Sequence, residues 1–302
     1  MEEELSRFAH PVMYPDARYL AEYCASSKME VPEEVKILMG DFRLPEPGSD
    51  RPYLYACMVE SMDGKIGFAD SPEGTLIAKK NMEDPKGGAI DFAVLNVCRC
   101  YADAVFIGTG TLKARMNQLW YASIKVPELA KVREKLEKPA KLPLTIIVSR
   151  DGTDIPYGHP VFGMEEAPVV MTSEQGAELM VAHFPDRTEI IREPEELTLP
   201  SSRIRVLAAG TEDSDMEKQL KLLLECGIRY VCVESPGYTW QLIRKKYLDE
   251  YLLDFSGLMA GGGNTTGRPF PFTSEVHPHT RLLSVGYTEG FLFTRQKLLY
   301  DI

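Results

Sequence analysis

The 302-residue chain is 44% apolar and carries a formal charge of −11, from 34 Lys and Arg against 45 Asp and Glu. That apolar share can build the core of one large α/β domain or two small ones, and the negative balance disfavours non-specific nucleic-acid binding, so a phosphate-bearing ligand must be held by local donors. The six cysteines form no C-x-x-C pair and sit in apolar runs as reduced thiols do, and no stretch reaches the roughly 18 apolar residues of a membrane span, which makes the cytoplasm the expected compartment.

In chain order, residues 1–50 are acidic and punctuated by proline, with modest helical patterns at 17–24 and 32–39 before the turn-rich run LPEPGSDRP. They are expected to form an extension on a main domain, 51–302. Residues 53–60, YLYACMVE, read as a strand, and the Asp63-Gly64 pair that follows predicts a hairpin turn. The turn carries Ser61, Asp63 and Lys65, a hydroxyl, a carboxylate and an amine, to a strand end, where polar groups of α/β sheets meet ligands.

Between 87 and 102, Ile90, Val94, Val97, Cys98 and Tyr101 recur at three- and four-residue intervals, predicting an amphipathic helix. AVFI at 104–107 is a buried strand that runs into Gly108-Thr109-Gly110-Thr111. Such a loop lets backbone amides approach a ligand, and a helix from Leu112 would favour phosphate at its start. A structural turn is the plain alternative, because the loop is neither G-x-G-x-x-G nor a Walker A sequence. A basic helix is expected at 128–138, with Leu129, Val132 and Leu136 on one side and its charges in solvent.

LTIIV at 144–148 is another buried strand, ending at Ser149-Arg150. A hydroxyl plus a guanidinium suits a phosphate monoester such as the 2′-phosphate of NADP; a solvent-exposed arginine is the alternative. Strand 168–171, a helix from Ser173 or Glu174 to about 183, and strand 189–192 follow. Helix 214–226 carries a Ser214/Glu217 capping box and ends at Gly227. IRYVCV, 228–233, then leads to Glu234-Ser235-Pro236-Gly237 and helix 239–247; a carboxylate there can anchor substrate or cap the helix. A long strand at 249–259, a glycine loop at 261–264 and a closing hairpin, 281–287 with 291–297, complete the pattern. The alternation of strands and helices suits a parallel sheet, and the hairpin makes it mixed.

The segments SMDGKI (61–66), AVFIGTGTLKA (104–114), TIIVSR (145–150), GIRYVCVES (227–235), LDEYLL (248–253), LMAGGG (258–263), GRPF (267–270) and TRLLSVGY (280–287) occur in one order. Together, over about residues 52–300, they resemble the pyrimidine reductase domain of riboflavin biosynthesis, a member of the dihydrofolate-reductase-like superfamily. The resemblance implies a three-layer α/β/α fold with a mixed, mostly parallel central sheet and a C-terminal antiparallel hairpin. It also implies NADPH-dependent reduction of a ribosylamino-pyrimidine phosphate, opening its sugar to a ribityl chain.

By the same resemblance Lys65, Glu234 and Asp63 are catalytic and Ser61 and Asn117 touch the substrate. Gly108, Gly110, Thr111, Ser149, Arg150, Ser235 and Gly237 hold the cofactor, with no metal. The implied partners are a small-molecule substrate and a second copy in a homodimer, not nucleic acid or membrane. Two stretches depart from the family pattern. D-x-P after the glycine loop is replaced by Arg115-Met116-Asn117-Gln118-Leu119-Trp120-Tyr121, and V-E-G-G reads Val233-Glu234-Ser235-Pro236. A paralogue reducing a different small molecule and a non-catalytic dinucleotide-binding or regulatory protein are the alternatives. None of His10, His159, His183, His277 or His279 is followed by a glutamate two places on, so the H-x-E motif of the zinc deaminases is absent.

Overall fold

Alternation along the strand Tyr53–Ser61 sends Tyr53, Tyr55 and Cys57 to one face and Leu54 and Ala56 to the other, and both sets are buried, so this strand must be covered on both sides. A computed structural model describes residues 5–197, 201–267 and 270–300; of the GRPF motif, Arg268 and Pro269 lie outside the described residues. The strands are β1 (Val12–Met13), β2 (Tyr53–Ser61), β3 (Ala104–Gly108), β4 (Leu144–Val148), β5 (Val169–Thr172), β6 (Thr188–Ile191), β7 (Ile204–Ala208), β8 (Tyr230–Val233), β9 (Glu250–Ser256), β10 (His279–Tyr287) and β11 (Phe291–Leu299). They form one sheet in the order β1-β10-β11-β9-β2-β8-β3-β4-β5-β7-β6.

From β9 to β6 every neighbouring pair is parallel, whereas β11, β10 and β1 add on antiparallel. Helices Glu33–Met39, Pro85–Tyr101 and Glu174–His183 pack on one face through Leu38, Ile90, Val97 and Met180. Helices Met216–Glu225 and Pro236–Arg244 pack on the other through Leu220, Leu223 and Leu242. The mixed three-layer architecture is the one expected. Among the described residues no helix is long and apolar enough to cross a membrane.

Several local expectations are corrected. Asp63-Gly64 does not join two strands. Gly64, at φ +73°, closes a tight turn on Ser61, and the chain then runs without a strand to helix Thr75–Lys79, because Gly67, Pro72 and Gly74 interrupt any ladder. The helix after β3 begins at Thr109 rather than Leu112 and ends at Lys113. Stretch 128–138 is not one helix but a 3₁₀ turn, Pro127–Leu129, and a single turn, Val132–Lys135. Arg133 there is buried rather than solvated. Its guanidinium donates to the carbonyls of Arg99, Cys100 and Ala102 at 3.2, 3.1 and 2.5 Å, satisfying oxygens at and just beyond the end of helix Pro85–Tyr101.

Helix Met216–Glu225 is capped by Asp215, which accepts from the Lys218 amide at 3.2 Å, not by a Ser214/Glu217 box. Strand β7 has no counterpart among the expected elements, though all five of its residues are buried. Strand β9 is shorter than expected. Along it Glu250, Leu252, Asp254 and Ser256 point inward, so three polar side chains share the buried face with one leucine.

Candidate active site

Because β2 to β9 all run the same way, their C-terminal ends share one edge of the sheet. The chain goes from β2 to β3 and returns only later to insert β8 between them, and connections that part in this way leave a crevice at the strand ends. A cleft of about 860 Å³ opens there. Its floor is the ends of β3, β4 and β8, through Gly108, Val148 and Glu234. One wall is helix Pro85–Tyr101, whose Gly88, Asp91, Leu95 and Arg99 lie on one stripe at three- and four-residue spacing.

The glycine loop reaches the cleft as Gly108, Thr109, Gly110 and Thr111, facing Ser235, Pro236, Gly237 and Tyr238 at the start of helix Pro236–Arg244. Ser235 caps that helix, its hydroxyl accepting from the Tyr238 amide at 3.4 Å. Pro236 falls at the first helical position, where its missing N–H costs nothing, so replacing the family's Gly-Gly by Ser-Pro preserves a helix start. Gly108 packs so closely on Ser235 that a Cβ would stand 2.3 Å from the hydroxyl oxygen. At Gly110 and Gly237 a Cβ would meet nothing within 4 Å, leaving backbone open to the cleft. The Tyr238 hydroxyl is buried and has no hydrogen-bond partner among the described residues.

Glu234 lies on the floor with both carboxylate oxygens taken by Arg99, at 2.6 Å each. Arg99 also donates to the Ser123 carbonyl at 2.8 Å and lies over the Trp120 ring, 5.5 Å from its centre. Arg115, at the first departure from the family pattern, lines the cleft and donates to Glu73 at 2.5 Å and Thr75 at 2.9 Å, pinning the segment before helix Thr75–Lys79 across the opening.

The remaining expected site residues stand around this cleft rather than along its lining among the described residues. Buried Ser61 donates to Asp63 at 2.6 Å, and Asp63 accepts from the Ala260 and Gly261 amides at 3.0 and 2.8 Å. These bonds hold its carboxyl down to about 2 and tie the turn to the glycine loop after β9. Half-buried Lys65 follows, and its neighbour Ile66 is the part of the turn that reaches the cleft. Ser149 donates to Asp154 at 2.7 Å, and Thr109 donates to the same carboxylate, so this hydroxyl braces the glycine loop. Arg150 points to solvent, paired with Asp151 at 2.9 Å and Asp213 at 3.2 Å. Asn117 is exposed beside cleft-lining Gln118.

Asp91, Arg99 and Asp254 were not among the sequence candidates. The carboxyl of Asp91, on the wall, lies beside that of Asp254, on β9, whose buried Oδ2 has no hydrogen-bond partner among the described residues. Burial pushes Asp91 up to about 7 and Asp254 well above the usual carboxylate range. A signal existed: Asp91, Leu95 and Arg99 form a stripe of their own beside the apolar face of the helix, with two charges eight residues apart.

A family model for the RibD C-terminal domain matches residues 52–286. No curated protein matches the chain. Among solved structures, a pyrimidine reductase-like protein from Corynebacterium diphtheriae is similar at 16% identity over 88% of this chain and 98% of that one, with a TM-score of 0.62. The diaminohydroxyphosphoribosylaminopyrimidine deaminase/5-amino-6-(5-phosphoribosylamino)uracil reductase of Thermotoga maritima aligns at 18% identity over 82% of this chain and 56% of that one, TM-score 0.54. RibD of Acinetobacter baumannii aligns at 16% over 88% and 62%, TM-score 0.55. The present chain thus spans little more than half of those two proteins, and at such identities the likeness establishes the fold. With the family match running over most of its length, the chain belongs to the RibD C-terminal domain family.

Proposed function

We propose that the cleft holds NADPH beside a small heterocyclic substrate and that the protein is a pyrimidine reductase, acting on 2,5-diamino-6-ribosylamino-4(3H)-pyrimidinone 5′-phosphate. The observation that carries this reading is the convergence of two backbone platforms on one cavity: the glycine turn from Gly108 into the short helix Thr109–Lys113 and the start of helix Pro236–Arg244, each with a glycine open to the cleft. Amides in the first turn of a helix have no intrahelical partner, so Gly237 suits an anionic diphosphate. The unpaired Tyr238 hydroxyl is a further polar group that a ligand can satisfy.

When bound, a dihydronicotinamide supplies two electrons and a hydrogen to an electrophilic carbon. The chain's task is to bind, orient and exclude water. Gly108, Gly110, Thr111, Ser235 and Gly237 form the cofactor side, with Ser149 bracing it through Asp154 and Arg150 near the adenosine 2′-phosphate. Lys65 and Glu234 contact the substrate's sugar, Asp63 and Ser61 hold Lys65 in place, and Asn117 belongs to the substrate side. Residues 1–50 serve as an extension of the reductase domain, 51–302. The Arg99 clamp on Glu234 favours a second reading of the substrate, a different heterocycle, since both carboxylate oxygens are already engaged. A fluorescence titration with NADPH tests the cofactor: saturable binding is expected, and its absence removes the reductase reading.

A further inference from the structure

The Asp91–Asp254 pair is built into the cleft wall. Asp91 faces the cavity, and Asp254 lies behind it at 2% exposure, its Oδ2 without a hydrogen-bond partner among the described residues. The groups around the pair supply no compensating charge. From β2 comes the Cys57 thiol. Behind Asp254 a small cavity is shared with His10 and Arg295. Arg295 is committed to Glu250 through bonds of 2.6 and 2.7 Å. His10 packs on Phe293 with its Nδ1 at the Phe8 carbonyl, and burial lowers its pKa, which favours the neutral ring. Among the described residues no cation forms an ion pair with either aspartate.

Two carboxylates side by side repel each other, and a buried carboxylate oxygen with no donor is costly as an anion, so the pair favours its protonated forms. We propose that Asp91 is the catalytic acid of this cleft, giving a proton to the nitrogen or oxygen of the substrate's reducible C=N or C=O bond, and that Asp254 is the positioning residue that keeps the proton on the pair. The inference rests on the reductase reading and adds to it the proton source. The balance is simple. As the substrate carbon gains two electrons and a hydrogen, the π pair of the double bond moves to the heteroatom. The Asp91 O–H bond breaks and a heteroatom–H bond forms; of the two protons that the neutral pair carries below about pH 7, the second stays, shared between Asp91 and Asp254 as a monoanion. Water at the cleft mouth restores the lost proton. Burial holds the Asp91 carboxyl at about 7, near neutrality, where a general acid works best.

The test combines single-turnover reduction of the pyrimidine substrate by NADPH, followed against pH, with carboxyl-carbon NMR of the aspartate-labelled protein without ligands. The wild-type rate is expected to fall above about pH 7, and Asp91→Asn to lower it about 100-fold or more and abolish that descending limb, with NADPH affinity kept within about threefold. In Asp254→Asn the new amide donates to the Asp91 carboxylate and stabilises the anion, so the limb moves about one unit or more to lower pH, a shift that a merely structural residue would not produce. In the wild-type spectrum two aspartate carbons titrate together near neutrality, which can be read even if a variant does not fold. Turnover by Asp91→Asn within about threefold of wild type with an unmoved limb, or two aspartates titrating independently in the ordinary range, overturns the assignment alone. An inactive wild type overturns the reductase reading and the catalytic role together.

Discussion

Arg99 and Glu234 are joined by two hydrogen bonds of 2.6 Å on the cleft floor, with side chains 6% and 9% exposed. Breaking such a pair from one side strands a buried charge. Glu234→Leu is expected to cost about 3–5 kcal/mol, whereas Arg99→Met with Glu234→Leu recovers much of that loss. Urea denaturation of the two variants checks this; equal destabilisation by the single and double changes contradicts it. Glu234→Gln, which keeps the shape, is expected to lower kcat with little change in NADPH affinity.

Two glycines two residues apart should respond differently. Gly108→Ala drives a methyl into the Ser235 hydroxyl and disturbs the helix cap, an expected loss of about 1 kcal/mol or more. Gly110→Ala meets no protein atom and lies in the short helix Thr109–Lys113, so its melting temperature should match or exceed wild type while its NADPH Kd rises about tenfold. Unchanged NADPH binding by Gly110→Ala would mean that the loop does not touch the cofactor.

The Asp63 anchor should be sensitive to acid. Hydrogen bonds from Ser61 and then from the Ala260 and Gly261 amides hold its carboxyl down to about 2, against an ordinary value of 3.8. A folded-state value below the unfolded one means that the contribution is present above about pH 4 and is lost as pH falls toward 2. Hydrogen-exchange protection at Ala260 and Gly261 is expected to decline over that window, and to be low already at neutral pH in Asp63→Ala. Protection independent of pH and of the substitution contradicts the anchor.

Arg150→Ala is expected to narrow the preference for NADPH over NADH about tenfold, read as the ratio of kcat/KM values. The guanidinium is 73% exposed and already touches Asp151 and Asp213, so it must exchange these partners for a phosphate. The same preference before and after the change removes Arg150 from the site.

Period-two and period-3.6 patterns made most of the sheet and its large helices legible, because burial on one face leaves a periodic trace in the sequence. The failures lie where local signals compete. Asp63-Gly64 has the chemistry of a hairpin turn but serves as an anchor for a loop 197 residues away. The basic run at 128–138 looked solvated because its one buried guanidinium, Arg133, is satisfied by carbonyls about thirty residues earlier, which periodicity does not encode. At the site, Glu234 and the glycine loop could be found as strand ends. Asp91 and Arg99 left only a charged stripe beside the apolar face of their helix, and Asp254 left no trace, since their meaning comes from partners brought together only by the closed sheet.

Reduction in this cleft is the proposed activity. Its most direct test is a single-turnover experiment in which the protein is loaded with NADPH and mixed with 2,5-diamino-6-ribosylamino-4(3H)-pyrimidinone 5′-phosphate, following cofactor oxidation and the product together. Oxidation of one NADPH for each ribityl product formed is the predicted result. NADPH that binds and remains reduced would contradict the pyrimidine assignment, and NADPH that does not bind would contradict the account of the cleft itself.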